Sequence, residues 1–116
     1  MKPEIKKLWI GRLRSGEIPQ GFGVLARDSH RCCLGVLCDI AVEQGILTRV
    51  EEDNGLFSYD DNTQILPQSV VDWSGLDEYN PAITLPGVSE DEETLAYAND
   101  NGHTFEQIAD IIEAKF

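Results

Sequence analysis

The chain has 116 residues, 41% of them apolar, and a net charge of −12. That length suits one domain burying roughly two thirds of its unfolded surface, so no staple is required. So negative a chain is a poor match for duplex DNA or an anionic membrane surface, both of which call for Lys and Arg.

The charge is unevenly placed. Residues 1–38 hold seven bases (Lys2, Lys6, Lys7, Arg12, Arg14, Arg27, Arg31) and three acids (Glu4, Glu17, Asp28). Residues 39–116 hold two bases (Arg49, Lys115) and eighteen acids. This fits a basic partner, long-range steering, or simple solubility. The opening "MKPEIKKLWIGRLRSG" lacks an apolar h-region, and no apolar run approaches a membrane span. A cytosolic setting with reduced thiols is expected, in keeping with the odd cysteine count.

In chain order, residues 3–14 form the first predicted helix, with Pro3 at its first position. Ile5, Leu8, Trp9 and Leu13 fall on one face, with Arg12 at its edge; Lys7 and Arg14 point away, and Ser15-Gly16 ends it. "GVLAR" and "RCC" around "DSH" predict a hairpin. Residues 33–44 predict a helix capped by Gly45, apolar through Cys33, Leu34, Val36, Leu37, Ile40 and Ala41. Only Gly35, Asp39 and Glu43 are left on its polar side, so it should be the central buried helix.

Next, "LTRV" and "LFSY" flank "EEDNG", a strong hairpin signal, with "TQIL" a candidate third strand. Pro67 begins a short helix, "PQSVVDW", and "AITL" between Pro81 and Pro86 is a candidate edge strand. Ser89 with Glu92 forms a capping box for a helix over "EDEETLAYAN". Thr104 with Gln107 forms another for "FEQIADIIEAKF", whose apolar face is Phe105, Ile108, Ala109, Ile112 and Phe116. The expected fold is α+β, about five helices on a small antiparallel sheet or hairpins.

The cysteines raise the question of chemistry. A zinc site would draw on His30, Cys32, Cys33 and Cys38. On a helix Cys33 and Cys38 diverge by roughly 140°, so they do not face one ion. A Cys32–Cys33 disulfide would be strained. A thiol enzyme needs an activated cysteine, and His30 and a helix start lie close to Cys32 and Cys33. The plainer reading makes these sulfurs core filler, since cysteine behaves as a small hydrophobe. No metal or cofactor is expected.

Among the acids, "SEDEE" (residues 89–93) matches what a helix dipole favours in its first turn. Glu106, Asp110 and Glu113 form a ridge at spacings of four and three, where like charges repel unless a base sits opposite. That base could come from the first helix, from solvent ions, or from another molecule. Asp60, Asp61 and Asn62 with Glu51, Glu52 and Asp53 lack the EF-hand pattern and are turn residues. No phosphate-loop or hydrolase motif occurs.

"WIGRLRSGEIPQGFGVL", "CCLGVLCDIA", "LPQSVVDWSGL" and "NDNGHTFEQIADIIE" resemble a family of small proteins encoded by bacteriophages and prophages. The resemblance covers most of the chain and implies a bacterial cytoplasm during infection. It supplies no activity and no catalytic residues. Small phage proteins of this kind often act by binding, so a non-enzymatic role is expected. One expectation is an acidic surface that engages a basic host factor, such as a defence enzyme, in the manner of nucleic-acid phosphates. Its contacts would be Glu90, Asp91, Glu92, Glu93, Glu106, Asp110 and Glu113. A second is sequestration of an anionic nucleotide signal by Arg12, Arg14, Arg27, His30 and Arg31, with Trp9 or Phe22 stacking on the base.

Overall fold

Eight of the eleven residues of the helix Cys33–Glu43 are buried, from Cys33 through Cys38 without a break, then Ile40 and Ala41. This is the central helix that its composition predicts. In the computed structural model, which describes residues 1–84 and 92–116, the other elements are arranged around it. They run α1 (Pro3–Arg14), β1 (Ala26–Arg27), β2 (His30–Arg31), α2 (Cys33–Glu43), β3 (Arg49–Glu51) and β4 (Phe57–Tyr59). Then come α3 (Gln68–Ser74), β5 (Ala82–Thr84), β6 (Glu92–Thr94), α4 (Leu95–Asp100) and α5 (Phe105–Lys115). The fold is α+β, five helices with three antiparallel strand pairs.

Helix α1 packs on α2 and α5 through Ile5, Trp9 and Leu13. The spacing of four makes a narrow stripe, so Leu8, expected on that face, is 45% exposed. Trp9 is fully buried, and its Nε1–H donates to the Cys33 carbonyl at 2.9 Å. That bond satisfies the indole where an apolar neighbour could not.

The first hairpin pairs Ala26 with Arg31 and Arg27 with His30. Asp28 takes a positive φ of 53° in its turn, which Asp tolerates better than most residues. Gly35, placed on the polar side of α2 by its wheel position, is buried instead. A Cβ there would lie 1.9 Å from the Leu25 carbonyl oxygen, so only glycine lets the helix meet the backbone just before β1.

The second hairpin pairs Arg49–Glu51 with Phe57–Tyr59, and its turn holds Asn54 and Gly55 at φ of 59° and 74°. The predicted third strand "TQIL" does not form. After a single bridge from Tyr59 to Asn62 the chain turns away, and Thr63 and Leu66 bond to Leu25 and Tyr79 instead. A bridge between Arg27 and Leu56 joins the two hairpins.

The helix predicted over "EDEETLAYAN" is shorter than expected. Glu92–Thr94 is a strand paired with Ala82–Thr84, and α4 begins at Leu95. Thr94 caps it by accepting from the Tyr97 N–H at 3.1 Å. Pairing supplies the backbone partners that a helical turn at 92–94 would otherwise supply. Ser89 lies outside the described residues. The capping box of α5 forms as predicted between Thr104 and Gln107. No helix among the described residues is long and apolar enough to cross a membrane.

Candidate functional site

The three cysteines are free and buried, with Cys33 and Cys38 fully enclosed and Cys32 4% exposed. Cys32 is the N-cap of α2, its sulfur accepting the Gly35 N–H at 3.4 Å. Cys33 donates its S–H to the Leu95 carbonyl at 3.6 Å. Burial raises the Cys32 thiol to about 11, against backbone hydrogen bonds that act the other way. Burial likewise holds Cys33 and Cys38 well above the ordinary range. All three are neutral thiols at physiological pH, weak nucleophiles packed as apolar side chains.

A buried asparagine fixes this end of α2. The Asn99 Oδ1 accepts from the Cys33 N–H at 3.1 Å and from Gln20 at 2.9 Å. Its Nδ2 donates to the Gly21 carbonyl at 2.8 Å and to Asp100 at 3.0 Å. One amide thus satisfies an otherwise orphaned helix-start donor and ties α4 to the 20–21 loop.

The carboxylate ridge on α5 finds its base within the chain. Arg14 reaches Glu106 at 3.3 Å, Asp110 at 2.5 Å and Glu113 at 2.9 Å. Hydrogen bonds to Glu113 and Asp110 raise its pKa further. Arg14 thus supplies the base from within the chain, while all three carboxylates keep most of their surface exposed. Of the other expected contacts, Glu90 and Asp91 lie outside the described residues. Glu92 and Glu93 sit on β6, with Glu93 half-buried.

The residues expected to bind a nucleotide do not converge. Trp9 is buried and cannot stack on a ligand. Arg14 is across α5, and Arg12 makes a two-toothed pair with Glu43 at 2.8 and 3.3 Å. Phe22, which is 58% exposed, lines a groove of about 200 Å³ with Arg27 and His30. Arg31 is on a different groove, beside Arg12.

Two features escape a linear reading. The first is a polar cluster around Asp39, the one charged side chain on the inner part of α2. Its Oδ2 accepts from Arg31 Nε at 2.6 Å, and its Oδ1 from Arg49 Nη1 at 2.8 Å and the Tyr59 hydroxyl at 2.6 Å. Arg31 also donates to the carbonyls of Asp28 and His30, each at 2.9 Å. Both guanidiniums stand 5.1 Å from the Phe57 ring centre, a cation–π distance. Burial, then the bond to Asp39, raises the Tyr59 pKa, so the phenol stays protonated and donating.

The second is a stretch without bases. Residues 50–78 contain Glu51, Glu52, Asp53, Asp60, Asp61, Asp72, Asp77 and Glu78 but no Lys or Arg. All eight acids are exposed, and none joins an ion pair among the described residues. They stand on the second hairpin, on α3 and on the loops after each, and Ser69 donates to Asp60 at 2.6 Å to hold two of these pieces together.

Fold and site together define an α+β domain with a protonated-thiol core and a carboxylate-rich exterior. The chain belongs to the family described as Domain of unknown function (DUF8296), whose model spans residues 1–116. No curated protein and no solved structure matches it.

Proposed function

We propose that this protein works by binding rather than catalysis, engaging a basic surface on a host protein inside a phage-infected bacterium. The observation that carries the reading is the unbalanced acid surface of residues 50–78, which internal pairing leaves untouched. The phage setting rests on the sequence resemblance. A nucleic-acid-binding defence enzyme is a suitable partner, because its phosphate-contacting Lys and Arg would meet carboxylates instead. Solvated acids separated by loops exert a field more than a fixed set of contacts, so attraction should be screened within about 10 Å at 0.1 M salt.

The test is capture of host proteins on immobilised protein at 50 and 500 mM NaCl, beside a variant carrying Asp53→Asn, Asp61→Asn, Asp72→Asn and Glu78→Gln. A specific partner should be retained at low salt, fall at least tenfold at high salt, and be lost by the variant while circular dichroism is unchanged. A partner held equally by both proteins at both salt levels would remove this reading.

A further inference from the structure

A groove of about 370 Å³ lies where the end of α1, the 17–19 loop, α2 and the start of β3 meet. Its volume falls in the range of small-molecule sites. Its wall has two characters. Ile18, Pro19 and Val42 make one side apolar, and Arg31 and Arg49 make the other cationic.

The two guanidiniums are held before any ligand arrives. Asp39 bridges them, and two backbone carbonyls fix Arg31 from behind. One carboxylate shared by two guanidiniums leaves one positive charge in excess on that wall, and Glu17 on the same groove offsets it, so the site is cationic locally and neutral over its whole lining. Donors also remain. Among the described residues, no acceptor meets Nη2 of Arg31, or Nε and Nη2 of Arg49. Arg31 is only 8% exposed, so its side chain has already lost most of its conformational freedom. Arg12 and Glu43 neutralise each other at the edge, and Glu17 on the rim is exposed and outside any ion pair among the described residues.

The geometry points to a binding site for a small organic anion, whose carboxylate or phosphate bridges Arg31 and Arg49 while its apolar part lies on Ile18, Pro19 and Val42. No aromatic side chain lines the groove among the described residues, so none is placed to stack on a nucleobase. The ligand is therefore compact, not a nucleotide held by stacking. Bidentate guanidinium contacts select planar or tetrahedral oxyanions over chloride. This site uses none of the residues that carry the proposed docking surface, so either can fail without the other.

The experiment is ligand-detected NMR and thermal shift on the full chain with phenyl phosphate, benzoate and phenol, at fixed ionic strength. Phenyl phosphate or benzoate should bind and raise the melting temperature with concentration, while phenol should not. The comparison between the two anions assigns the head group. Arg49→Gln should weaken binding at least tenfold with the fold intact, and Glu17→Gln should tighten it. Lys7→Gln, which removes the same charge from an exposed site on α1, should leave binding within twofold. Absence of binding by both anions at millimolar concentration overturns the site. So does equal weakening by Arg49→Gln and Lys7→Gln, which would mean that only the overall field is felt.

Discussion

Raising the pH tests whether the sulfurs are interior filler. Burial moves the Cys32 thiol from its ordinary 9.0 to about 11. At pH 8 the thiolate fraction therefore falls from about a tenth to about a thousandth, a hundredfold loss of nucleophile before access is considered. The same shift acts on stability. Between pH 9 and about 11 the unfolded chain releases a proton that native Cys32 keeps. The contribution is complete below pH 9 and is gone above pH 11, at about 1.4 kcal/mol per pH unit, or roughly 2–3 kcal/mol in all. Cys33, Cys38 and Tyr59 are all raised by burial and add in the same direction. Urea unfolding at pH 7.5, 9 and 10.5 should show a steady fall across the last interval. A disulfide reagent at pH 8 should label three thiols in denaturant and none quickly in the native protein. A native thiol that reacts within tenfold of free cysteine, or stability unchanged from pH 7.5 to 10.5, would refute the reasoning and restore thiol chemistry as a candidate.

Gly35→Ala drives a methyl against the Leu25 carbonyl, where neither backbone can yield, and should cost about 3 kcal/mol or prevent folding, read by urea titration. Asp39→Asn removes the only acid that pairs with the buried Arg31 among the described residues and should cost about 3 kcal/mol, against about 1 kcal/mol for Tyr59→Phe, which loses one hydrogen bond. Asn99→Leu strands the Cys33 N–H and the Gly21 carbonyl and should cost about 3 kcal/mol, seen as a lower midpoint with unchanged denaturant slope. Arg14→Ala should lower the melting temperature at low salt only, because its three partners are exposed and high salt already screens the ridge they form.

What the sequence discloses follows the range of the interaction that decides it. The second hairpin is legible because Asn54-Gly55 carries its own turn chemistry. The α5 capping box is legible because its two partners are three residues apart. The start of α4 is not. "EDEET" suits a first helical turn by charge, and only pairing with Ala82–Thr84, set by the tertiary fold, makes part of it a strand. Leu8 fails similarly, since the width of the α1 stripe depends on how α2 and α5 approach it. The Asp39 cluster is further out of reach. Its donors come from 8, 10 and 20 residues away on three separate strands, and the only local sign is one acid on an otherwise apolar helix.

The basic first third of the chain has a structural explanation that sharpens the functional one. Arg12, Arg14 and Arg31 each meet acids from the later part of the chain, on α2 or α5. Packing α1 against α5 brings Arg14 over a ridge whose like charges would otherwise repel along the helix. Folding thus draws much of the positive charge into internal pairs, and it does so on the α1–α2–α5 side. The second hairpin and α3 hold no base between residues 50 and 78, and Arg49 at the start of that hairpin is committed to Asp39. Pairing therefore offsets part of the charge on the α1–α2–α5 side, where one Arg14 meets three carboxylates, and none of that on the acids of residues 50–78 among the described residues. Moving that asymmetry should move function: neutralising Asp61 and Asp72 as Asn, both exposed, should abolish partner capture, while neutralising Glu106 and Asp110 should not. The two variants change the net charge by similar amounts, so a partner that responds equally to both would show that total charge, not its placement, governs binding.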